Sequence, residues 1–332
     1  MLKIRVNRLC IPLLIWFPGQ FRYSMPSISR TRKLSSGRII KSTTAGIARS
    51  TDYNGIMGLT KAELQSLQKD GFVGPFDLDG VIDCGKVESD SRRLRFIGEW
   101  YKGAHVFKGA AFDASTDDAI ISRLKSALGD DLLMWSSELM LKPPSQPHRW
   151  HSDIEAVSWN TLNIWMALRN VTNESTLRLV PGSHLWGVMP QNLSDIDVQN
   201  EASVLAAAKR FDPKAVITRI PMKEGQFAIF DGRAWHGTEN PTPNVRTALL
   251  CQYSPPSELV RRPLSYGLPA RWADELPSCV VVAGEAKGSP SRVVKPRRPS
   301  LVQAAKARLR ITAGSLRQLA QSLQRAPTAT AK

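Results

Sequence analysis

Short apolar runs separated by turn residues occupy the middle of the chain. Prolines, glycines and charged residues divide these runs, as at Pro181-Gly182. Short runs at this spacing are typical of a β-sandwich or β-barrel. An acidic, Ala-rich stretch at 192–210 interrupts the pattern and predicts a loop followed by a helix. We predict strands over 132–141, 162–168, 177–180, 215–220, 226–230 and 247–253.

Two helices are predicted ahead of these strands. Thr60 followed by Glu63 is a capping box, in which each side chain satisfies a backbone N–H of the first turn. The helix that it opens runs over about 60–70. The second helix runs over about 116–128, with two aspartates near its positive N-terminus and Gly129 as its stop. The sequence therefore predicts a mainly β fold with flanking helices.

The positive charge of the chain belongs to its two ends. The formal net charge is +16, with 45 Lys and Arg against 29 Asp and Glu. Residues 1–50 carry ten bases and residues 286–332 carry eleven, and neither segment contains an acid. Such ends can attract phosphates or anionic lipids without defining what the folded body does. We therefore predict no specific nucleic-acid binding, and at most a weak contact of the ends with anionic surfaces.

Composition divides the chain into three predicted parts. Residues 1–55 form a basic, Arg- and Ser-rich tail or targeting segment, residues 56–280 a folded domain, and residues 281–332 a basic linker with an amphipathic helix. The N-terminal composition matches an organelle transit peptide, whereas a solvated tail or a start at Met25 are the alternatives. We predict a cytoplasmic protein, with mitochondrial import as the alternative. The oligomeric state stays open.

The cysteines and the apolar runs exclude several classes of protein. The four cysteines lie far apart and form no CxxC pair, which excludes a zinc finger or a disulfide framework and favours a reducing compartment. The longest apolar run, Cys10 to Phe17, is shorter than the ~18 residues of a transmembrane helix and contains Pro12.

Candidate chemistry is concentrated in two short motifs. His151 and Asp153 are two residues apart, a spacing that places both on one face of a strand. His236 ends a later apolar run, and Arg246 follows ten residues after it. Two histidines and one carboxylate on one face of a metal, with open positions opposite, form the site of non-haem Fe(II) oxygenases. Arg246 would bind a carboxylate through a bidentate salt bridge.

These motifs lie within a longer similarity. The series HSD, LNIWMALRNVT, LRLVPGSHLWG and FDGRAWHGT, followed by Arg246, resembles the phytanoyl-CoA dioxygenase family of Fe(II)/2-oxoglutarate oxygenases. The resemblance covers about residues 59–254 and is strongest from residue 139 onward. It implies a double-stranded β-helix (a cupin-like jelly roll) with a metal between its two sheets, and makes 56–280 the dioxygenase domain.

The resemblance also implies roles for particular residues. His151, Asp153 and His236 match the iron ligands of the family, and Arg246 matches the arginine that binds the distal carboxylate of 2-oxoglutarate. Thr238 matches a hydroxyl that helps to hold that carboxylate, and Trp165 an aromatic residue beside the co-substrate. Core packing of Trp165 and a turn role of Thr238 are the alternatives. A further contact, usually an upstream lysine, is left open between Lys102, His105 and Lys108. His184, in the PGSH turn, is not predicted to be a ligand.

The implied function is a 2-oxoglutarate-dependent dioxygenase that uses Fe(II) and O2, with ascorbate as reductant. It would hydroxylate a C–H bond of a small-molecule or acyl-type substrate and release succinate and CO2. Halogenating relatives replace the carboxylate ligand by a small residue, so the presence of Asp153 predicts hydroxylation. Two alternatives stay open: a non-catalytic, metal-binding cupin-type jelly roll, which has no need of Arg246, and a scaffold that acts through its basic ends.

Overall fold

The computed structural model describes residues 58–95, 97–153, 159–261 and 276–305, together with Ala307 and Leu309. All of these residues belong to one unit, Ser50–Lys332. The predicted N-terminal tail over 1–55 lies outside the described residues, and so does the part of the predicted amphipathic helix beyond residue 309. Where that helix begins, Ser300 and Gln303 satisfy each other's backbone N–H groups, as a capping pair.

Two β-sheets form the body of the domain. The larger sheet has seven strands in the order β1-β7-β4-β9-β2-β10-β11, and the smaller has four in the order β3-β8-β5-β6. Together they form the predicted jelly roll. The strands are β1 (Phe72–Asp77), β2 (Leu132–Lys142), β3 (His148–His151), β4 (Leu162–Arg169), β5 (Leu177–Leu179), β6 (Thr218–Ile220), β7 (Gln226–Asp231), β8 (His236–Thr238), β9 (Arg246–Ser254), β10 (Cys279–Ala283) and β11 (Val293–Val294).

Side-chain alternation along β9 separates the two faces of the larger sheet. Leu249 and Cys251 pack on the outer face, whereas Ala248 and Leu250 pack between the sheets. Every residue of β9 is buried, because helices cover one face and the smaller sheet covers the other. A strand buried on both sides forms a nearly continuous apolar run, which is why the sequence pattern revealed it.

Helices cover the outer faces of both sheets. Residues of the first four helices join one hydrophobic core with the outer face of the larger sheet, and residues of the fifth pack with Trp150 and Trp235 behind the smaller sheet. The first helix begins with the predicted capping box, and Gly71 ends it in the left-handed conformation at φ 83°. The helices are α1 (Lys61–Asp70), α2 (Cys84–Leu94), α3 (Ala110–Ser115), α4 (Asp118–Leu128) and α5 (Glu201–Ala208).

The structure extends the larger sheet into the segment predicted as a linker. Strand β10 pairs antiparallel with β2, and β11 pairs with β10. The prolines and basic residues that suggested a linker lie mostly outside these short strands. Cys279 and Val280 are fully buried, so the sheet continues past residue 280 and the linker interpretation of 281–294 is wrong.

The remaining element predictions agree with the structure to different degrees. Each of the six predicted strands overlaps an observed strand, and both predicted helices and the helix within 192–210 are present. Strands β1, β8, β10 and β11 and helices α2 and α3 were not predicted, because their short or polar sequences show no clear periodicity. Among the described residues, none of the helices has the length and apolar character needed to cross a bilayer.

Candidate metal centre

Two histidines and one aspartate meet between the sheets. His151 is the last residue of β3 and pairs in register with His236, the first residue of β8. Asp153 lies in the bend after β3, where its N–H donates to the carbonyl oxygen of Gly232. The Gln191 side chain accepts from the N–H of Ser152 and donates to its carbonyl oxygen, at 3.0 and 2.9 Å. The bend that carries Asp153 is therefore held from two sides.

The three side chains converge on one point. His151 Nε2 lies 3.5 Å from Asp153 Oδ1, and His236 Nε2 lies 3.5 Å from Asp153 Oδ2. One ligand atom from each residue falls within 4.8 Å of the others. The carboxylate thus presents one oxygen to each imidazole, the spacing that a single small cation could bridge. Among the described residues, this is the one such group of three histidine, cysteine or acidic side chains.

Backbone hydrogen bonds determine which ring nitrogen faces the centre. The Nδ1 atom of His151 lies 2.9 Å from the carbonyl oxygen of Arg149, and that of His236 lies 3.0 Å from the carbonyl oxygen of Ala234. A carbonyl oxygen only accepts, so Nδ1 carries a proton in both rings, and Nε2 is the nitrogen that faces the centre. Burial lowers the pKa of His236 to about 4, with His151 acting in the same direction. His236 is therefore neutral at pH 7. This support of ligating histidines is typical of metal sites.

Lys102 and Asn163 stabilise the charge of Asp153. The Asn163 Nδ2 atom donates to Asp153 Oδ2 at 2.7 Å, and Lys102 Nζ lies 3.7 Å from Oδ1 and 3.6 Å from Glu138 Oε2. Burial alone would raise the pKa of the Asp153 carboxyl, but Lys102 and then His236 hold it well below its usual range. Burial would likewise lower the pKa of Lys102, but Asp153 and Glu138 raise it. The centre therefore holds an ionised carboxylate beside a buried ammonium group.

The structure shows which of Lys102, His105 and Lys108, the three upstream candidates, faces the centre. Lys102 faces the centre, as described above. His105 is buried, and its two ring nitrogens lie 2.7 Å from the carbonyl oxygen of Ser278 and 3.3 Å from that of Lys102. Lys108 is exposed, and its N–H donates to the carbonyl oxygen of Arg297. Of the three side chains, only that of Lys102 reaches the centre.

Arg246 is a buried cation without a carboxylate partner among the described residues. Its side chain is fully buried, Nη2 donates to Thr238 Oγ1 at 2.7 Å, and the guanidinium lies 5.2 Å from the centre of the Trp165 ring. Its Nε and Nη1 atoms have no hydrogen-bond partner there, and neither has Trp165 Nε1. Burial lowers the pKa of Arg246 to about 10, so it stays charged at pH 7. A buried guanidinium with free donors fits an anionic ligand.

A single cavity joins the two features. Its volume is about 290 Å³, near the lower limit for pockets that enclose small organic ligands. Thr238 and Trp165 form its wall in front of Arg246, and the three-residue centre lies along the same wall. Its other lining residues are Arg95, Tyr101, Lys102, Glu138, Leu139, Met140, Leu141, Lys142, His148, Arg149, Ser152, Leu177, Gln191, Phe230 and Leu250.

Comparison with known families decides what kind of domain this is. The family model described as phytanoyl-CoA dioxygenase (PhyH) matches residues 90–248, which include the His-Asp-His cluster and Arg246. This part of the chain belongs to the phytanoyl-CoA dioxygenase family. The matched residues begin within α2 and end within β9, so the phytanoyl-CoA dioxygenase segment includes both sheets except for β1, the end of β9, β10 and β11. A comparison with curated protein sequences finds no match.

Solved structures share the fold of this phytanoyl-CoA dioxygenase family member. The apo form of ThoJ, described as a non-haem monooxygenase, is 19% identical with a TM-score of 0.51, covering 79% of this chain and 98% of that one. CytC3, described with Fe(II) and α-ketoglutarate, is 17% identical with a TM-score of 0.50, covering 74% of this chain and 99% of that one. At such identities the similarity shows the jelly-roll fold.

The structure brings together every site residue that the sequence suggested. His151, Asp153 and His236 form the cluster. Arg246 contacts both Thr238 and Trp165, which line the same cavity. His184 is not part of the cluster, and its Nε2 atom lies 3.1 Å from the carbonyl oxygen of Gln68.

The sequence did not reveal two cavity residues and one residue that contacts Asp153. Glu138 and Lys142 line the cavity from β2, and Asn163 contacts Asp153 from β4. The signal for all three was a polar residue at an inward position of an apolar strand, which the run of hydrophobic neighbours concealed. Reading each strand with a period of two would have singled them out.

Proposed function

We propose that this protein is an Fe(II)- and 2-oxoglutarate-dependent dioxygenase that hydroxylates a C–H bond of a small-molecule or acyl-type substrate. One observation supports this function best: the cavity lined by the His-Asp-His cluster is also lined by Thr238 and Trp165. These two residues contact the buried Arg246, which has no carboxylate partner among the described residues. A metal-binding jelly roll without a co-substrate has no need of the arginine. A burial of this kind costs free energy unless an anion compensates for it.

The cluster fits the proposed metal. Two imidazoles with their Nε2 atoms turned inward and one ionised carboxylate make up the facial triad that binds non-haem Fe(II) and leaves positions open for other ligands. His151, Asp153 and His236 would hold the ion. When bound, the Fe(II), together with 2-oxoglutarate and O2, supplies the oxidising power for hydroxylation, while 2-oxoglutarate is converted to succinate and CO2.

The opposite end of the cavity fits the distal carboxylate of 2-oxoglutarate. Arg246 would donate through its free Nε and Nη1 atoms, and Thr238, whose hydroxyl accepts from Arg246, can donate its own proton to the same carboxylate. Lys142 is the neighbour of Arg246 across the β2–β9 pair and lines the cavity. Phe230 and Leu250 add apolar walls between the two ends. The protein thereby orients the co-substrate and excludes water from it.

The substrate is proposed in general terms only. Arg95, Lys142 and Arg149 line the cavity together with apolar residues of β2 and β9. Such a lining suits a molecule with both apolar and anionic or polar parts. Because residue 153 is an aspartate, which can serve as the carboxylate ligand that halogenating relatives lack, we propose hydroxylation and not halogenation. Chlorination of a substrate by the unmodified protein in the presence of chloride would contradict this part of the proposal.

Succinate release from 2-oxoglutarate tests the function without knowledge of the substrate. The full-length protein is incubated under air with Fe(II), ascorbate and 2-oxoglutarate. We expect slow release from the wild type, none from His151→Ala at any iron concentration, and a raised KM for 2-oxoglutarate in Arg246→Lys. His184→Gln is the matched control for the histidine, and Arg169→Lys, which changes an arginine paired with Glu88, for the arginine.

The outcomes separate this function from its alternatives. Metal binding without binding or turnover of 2-oxoglutarate would favour a non-catalytic cupin-type jelly roll. No metal binding, together with a salt-dependent association with anionic surfaces that survives His151→Ala, would favour a scaffold acting through the basic ends. Either result would overturn the proposed dioxygenase.

A further inference from the structure

The interior of the jelly roll contains a polar layer beneath Asp153. Asn163 on β4 pairs in register with Gln252 on β9, which pairs in turn with Ser136 on β2. All three side chains are fully buried. Neighbouring positions between the sheets, such as Phe230, which pairs with Asn163, and Ala248, are apolar. A pair of buried amides in such a place calls for a reason beyond packing, because apolar residues would fill the space without needing hydrogen bonds.

The two amides form a directed chain of hydrogen bonds that ends on Asp153. Gln252 Nε2 donates to Asn163 Oδ1 at 3.2 Å, and Asn163 Nδ2 donates to Asp153 Oδ2 at 2.7 Å. An ionised carboxylate only accepts, so Asn163 must turn its NH2 group toward Asp153. Its carbonyl oxygen then faces Gln252, which must donate in turn. The direction of the whole chain follows from the charge of Asp153.

When the Gln252 nitrogen donates to Asn163, the amide oxygen of Gln252 is left unsatisfied among the described residues. This Oε1 atom, like the Ser136 hydroxyl, is buried and has no hydrogen-bond partner among the described residues. The donation to Asn163 is the one hydrogen bond found there for the Gln252 side chain. Burying an amide whose oxygen has no hydrogen-bond partner costs free energy. We therefore attribute the presence of Gln252 to the hydrogen bond that its nitrogen donates to Asn163.

We propose that Asn163, oriented by Gln252, is a positioning residue that sets the rotation of the Asp153 carboxylate for metal binding. The hydrogen bond to Oδ2 holds the carboxylate with Oδ1 toward His151 and Oδ2 toward His236. Without it, the short side chain could rotate and lose this alignment. Hydrogen-bonded partners of ligating carboxylates commonly tune metal affinity. This inference rests on the proposed function, since it takes Asp153 to be a metal ligand.

The test measures metal affinity in the absence of any reaction. Mn(II) is titrated into the metal-free, full-length protein by calorimetry, because Mn(II) suits the same nitrogen and oxygen ligands and is stable in air. Asn163→Leu removes the donor at nearly constant volume. We expect its Kd for Mn(II) to rise about 10- to 100-fold.

Two variants of Gln252 distinguish orientation from packing. An ionised carboxylate at this position only accepts, whereas a protonated one can still donate. Gln252→Glu is therefore titrated at a pH of about 8 to 9, where a buried carboxyl can ionise, and should then turn the Asn163 amide around and place its oxygen against Asp153. Gln252→Met removes the polar group without this reversal, and Asn163 can still donate. We expect Gln252→Glu to weaken Mn(II) binding at least tenfold, and Gln252→Met by less than about threefold.

Thr176→Val is the matched control. Thr176 is fully buried and donates its hydroxyl hydrogen to the carbonyl oxygen of Ile220, with no hydrogen bond to Asp153. This change should lower Tm while leaving the Kd for Mn(II) as in the wild type. Thermal unfolding of each metal-free variant is measured beside its affinity. If Asn163→Leu does not fold, the two Gln252 variants decide the question.

Three results would overturn the inference. The Kd of Asn163→Leu could stay within twofold of the wild type. The two Gln252 variants could weaken binding equally, which would indicate packing alone. The wild type could bind no Mn(II), which would remove the proposed metal site itself and so is distinguishable from the other two. An effect on Kd that follows the loss or reversal of the Asn163 donor, and not the loss of Tm, would support it.

Discussion

The two ends of the cavity differ in how their buried charges are balanced. At the metal end, two carboxylates, Asp153 and Glu138, surround one ammonium group, Lys102. At the other end, Arg246 and its strand neighbour Lys142 are both cations. Among the described residues, the side-chain interactions found for the Arg246 guanidinium are a hydrogen bond to the Thr238 hydroxyl and a contact with the Trp165 ring. The first end is suited to a cation and the second to an anion. The same cavity thus carries complementary halves for a metal and an acidic co-substrate.

Among the substitutions, neutralising the Asp153 carboxylate should have the largest effect on ligand affinity, because it removes the negative charge that suits the metal end to a cation. Asp153→Asn keeps the shape of the side chain but removes its charge, so we expect the Kd for Mn(II) to rise more than about 100-fold, beyond the effect of a supporting residue. Calorimetry on the metal-free protein measures this. Asp231→Asn is the control, since Asp231 is a buried aspartate that pairs with Arg233. Equal affinities for Asp153→Asn and the wild type would refute ligation by Asp153.

Acid should lower the free energy of unfolding by protonating His105, a buried histidine next to the loop that carries Lys102. Burial lowers the pKa of His105 to about 4 from an ordinary value of 6.5. The unfolded chain therefore binds this proton first, and stability that is complete above pH 6.5 is lost as the pH falls toward 4. The loss from His105 is on the order of 3 kcal/mol. Urea unfolding against pH measures it.

His105→Gln is the variant that isolates this contribution. Glutamine can still donate to the Ser278 carbonyl oxygen but does not titrate. We expect a shallower fall in unfolding free energy between pH 6.5 and 4 than in the wild type. An unchanged slope would show that other groups cause the acid sensitivity.

Replacing Arg246 should separate binding from stability at the anionic end. Arg246→Met removes an unpaired buried charge, so we expect the Tm of the metal-free protein to stay constant or rise. The Kd for 2-oxoglutarate should increase about 30- to 100-fold, because charged hydrogen bonds contribute roughly 2–3 kcal/mol. Affinity for Mn(II) should change less than about twofold. A fall in Tm with unchanged binding of 2-oxoglutarate would make Arg246 a structural residue instead.

The smallest change in affinity is expected for the Thr238 hydroxyl, at the end of the cavity proposed to bind an anion. Thr238→Val removes the hydroxyl that accepts from Arg246 Nη2 and keeps the volume of the side chain. One neutral hydrogen bond contributes about 1 kcal/mol, so the Kd for 2-oxoglutarate should rise about fivefold. Thr247→Val, one residue beyond Arg246 on the opposite face of β9, is the control. Identical affinities for Thr238→Val and the wild type would leave Thr238 with only a turn role.

The site could be predicted from the sequence where its chemistry lies in short motifs. His151 and Asp153 are two residues apart, and Arg246 follows His236 by ten, so local spacing already suggests a shared cavity. Asn163 carries no such signal. It is ten residues from Asp153 along the chain, on a strand of the opposite sheet, and looks like an isolated polar residue in an apolar run. Only the packing of the two sheets brings its amide to 2.7 Å from the carboxylate.

The C-terminal strands show a similar limit for the fold. The sequence after residue 277 is rich in proline, glycine and basic residues, and this composition outweighed the five-residue strand at Cys279–Ala283. Its pairing with β2 depends on a free strand edge that no local pattern reveals. The same segment places the Ser278 carbonyl oxygen on His105, and so supports the loop that presents Lys102.

Local sequence patterns were enough to predict the central buried strands, the capping box of the first helix and the residues proposed to bind a metal and an anion. These features follow from side-chain periodicity, capping and donor chemistry, which act over a few residues. The tertiary structure alone decided which strand edges pair, which of the three upstream residues faces the centre, and how the charge of Asp153 is stabilised. Those properties depend on contacts between distant segments, because burial and hydrogen-bond geometry exist only once the two sheets have packed together.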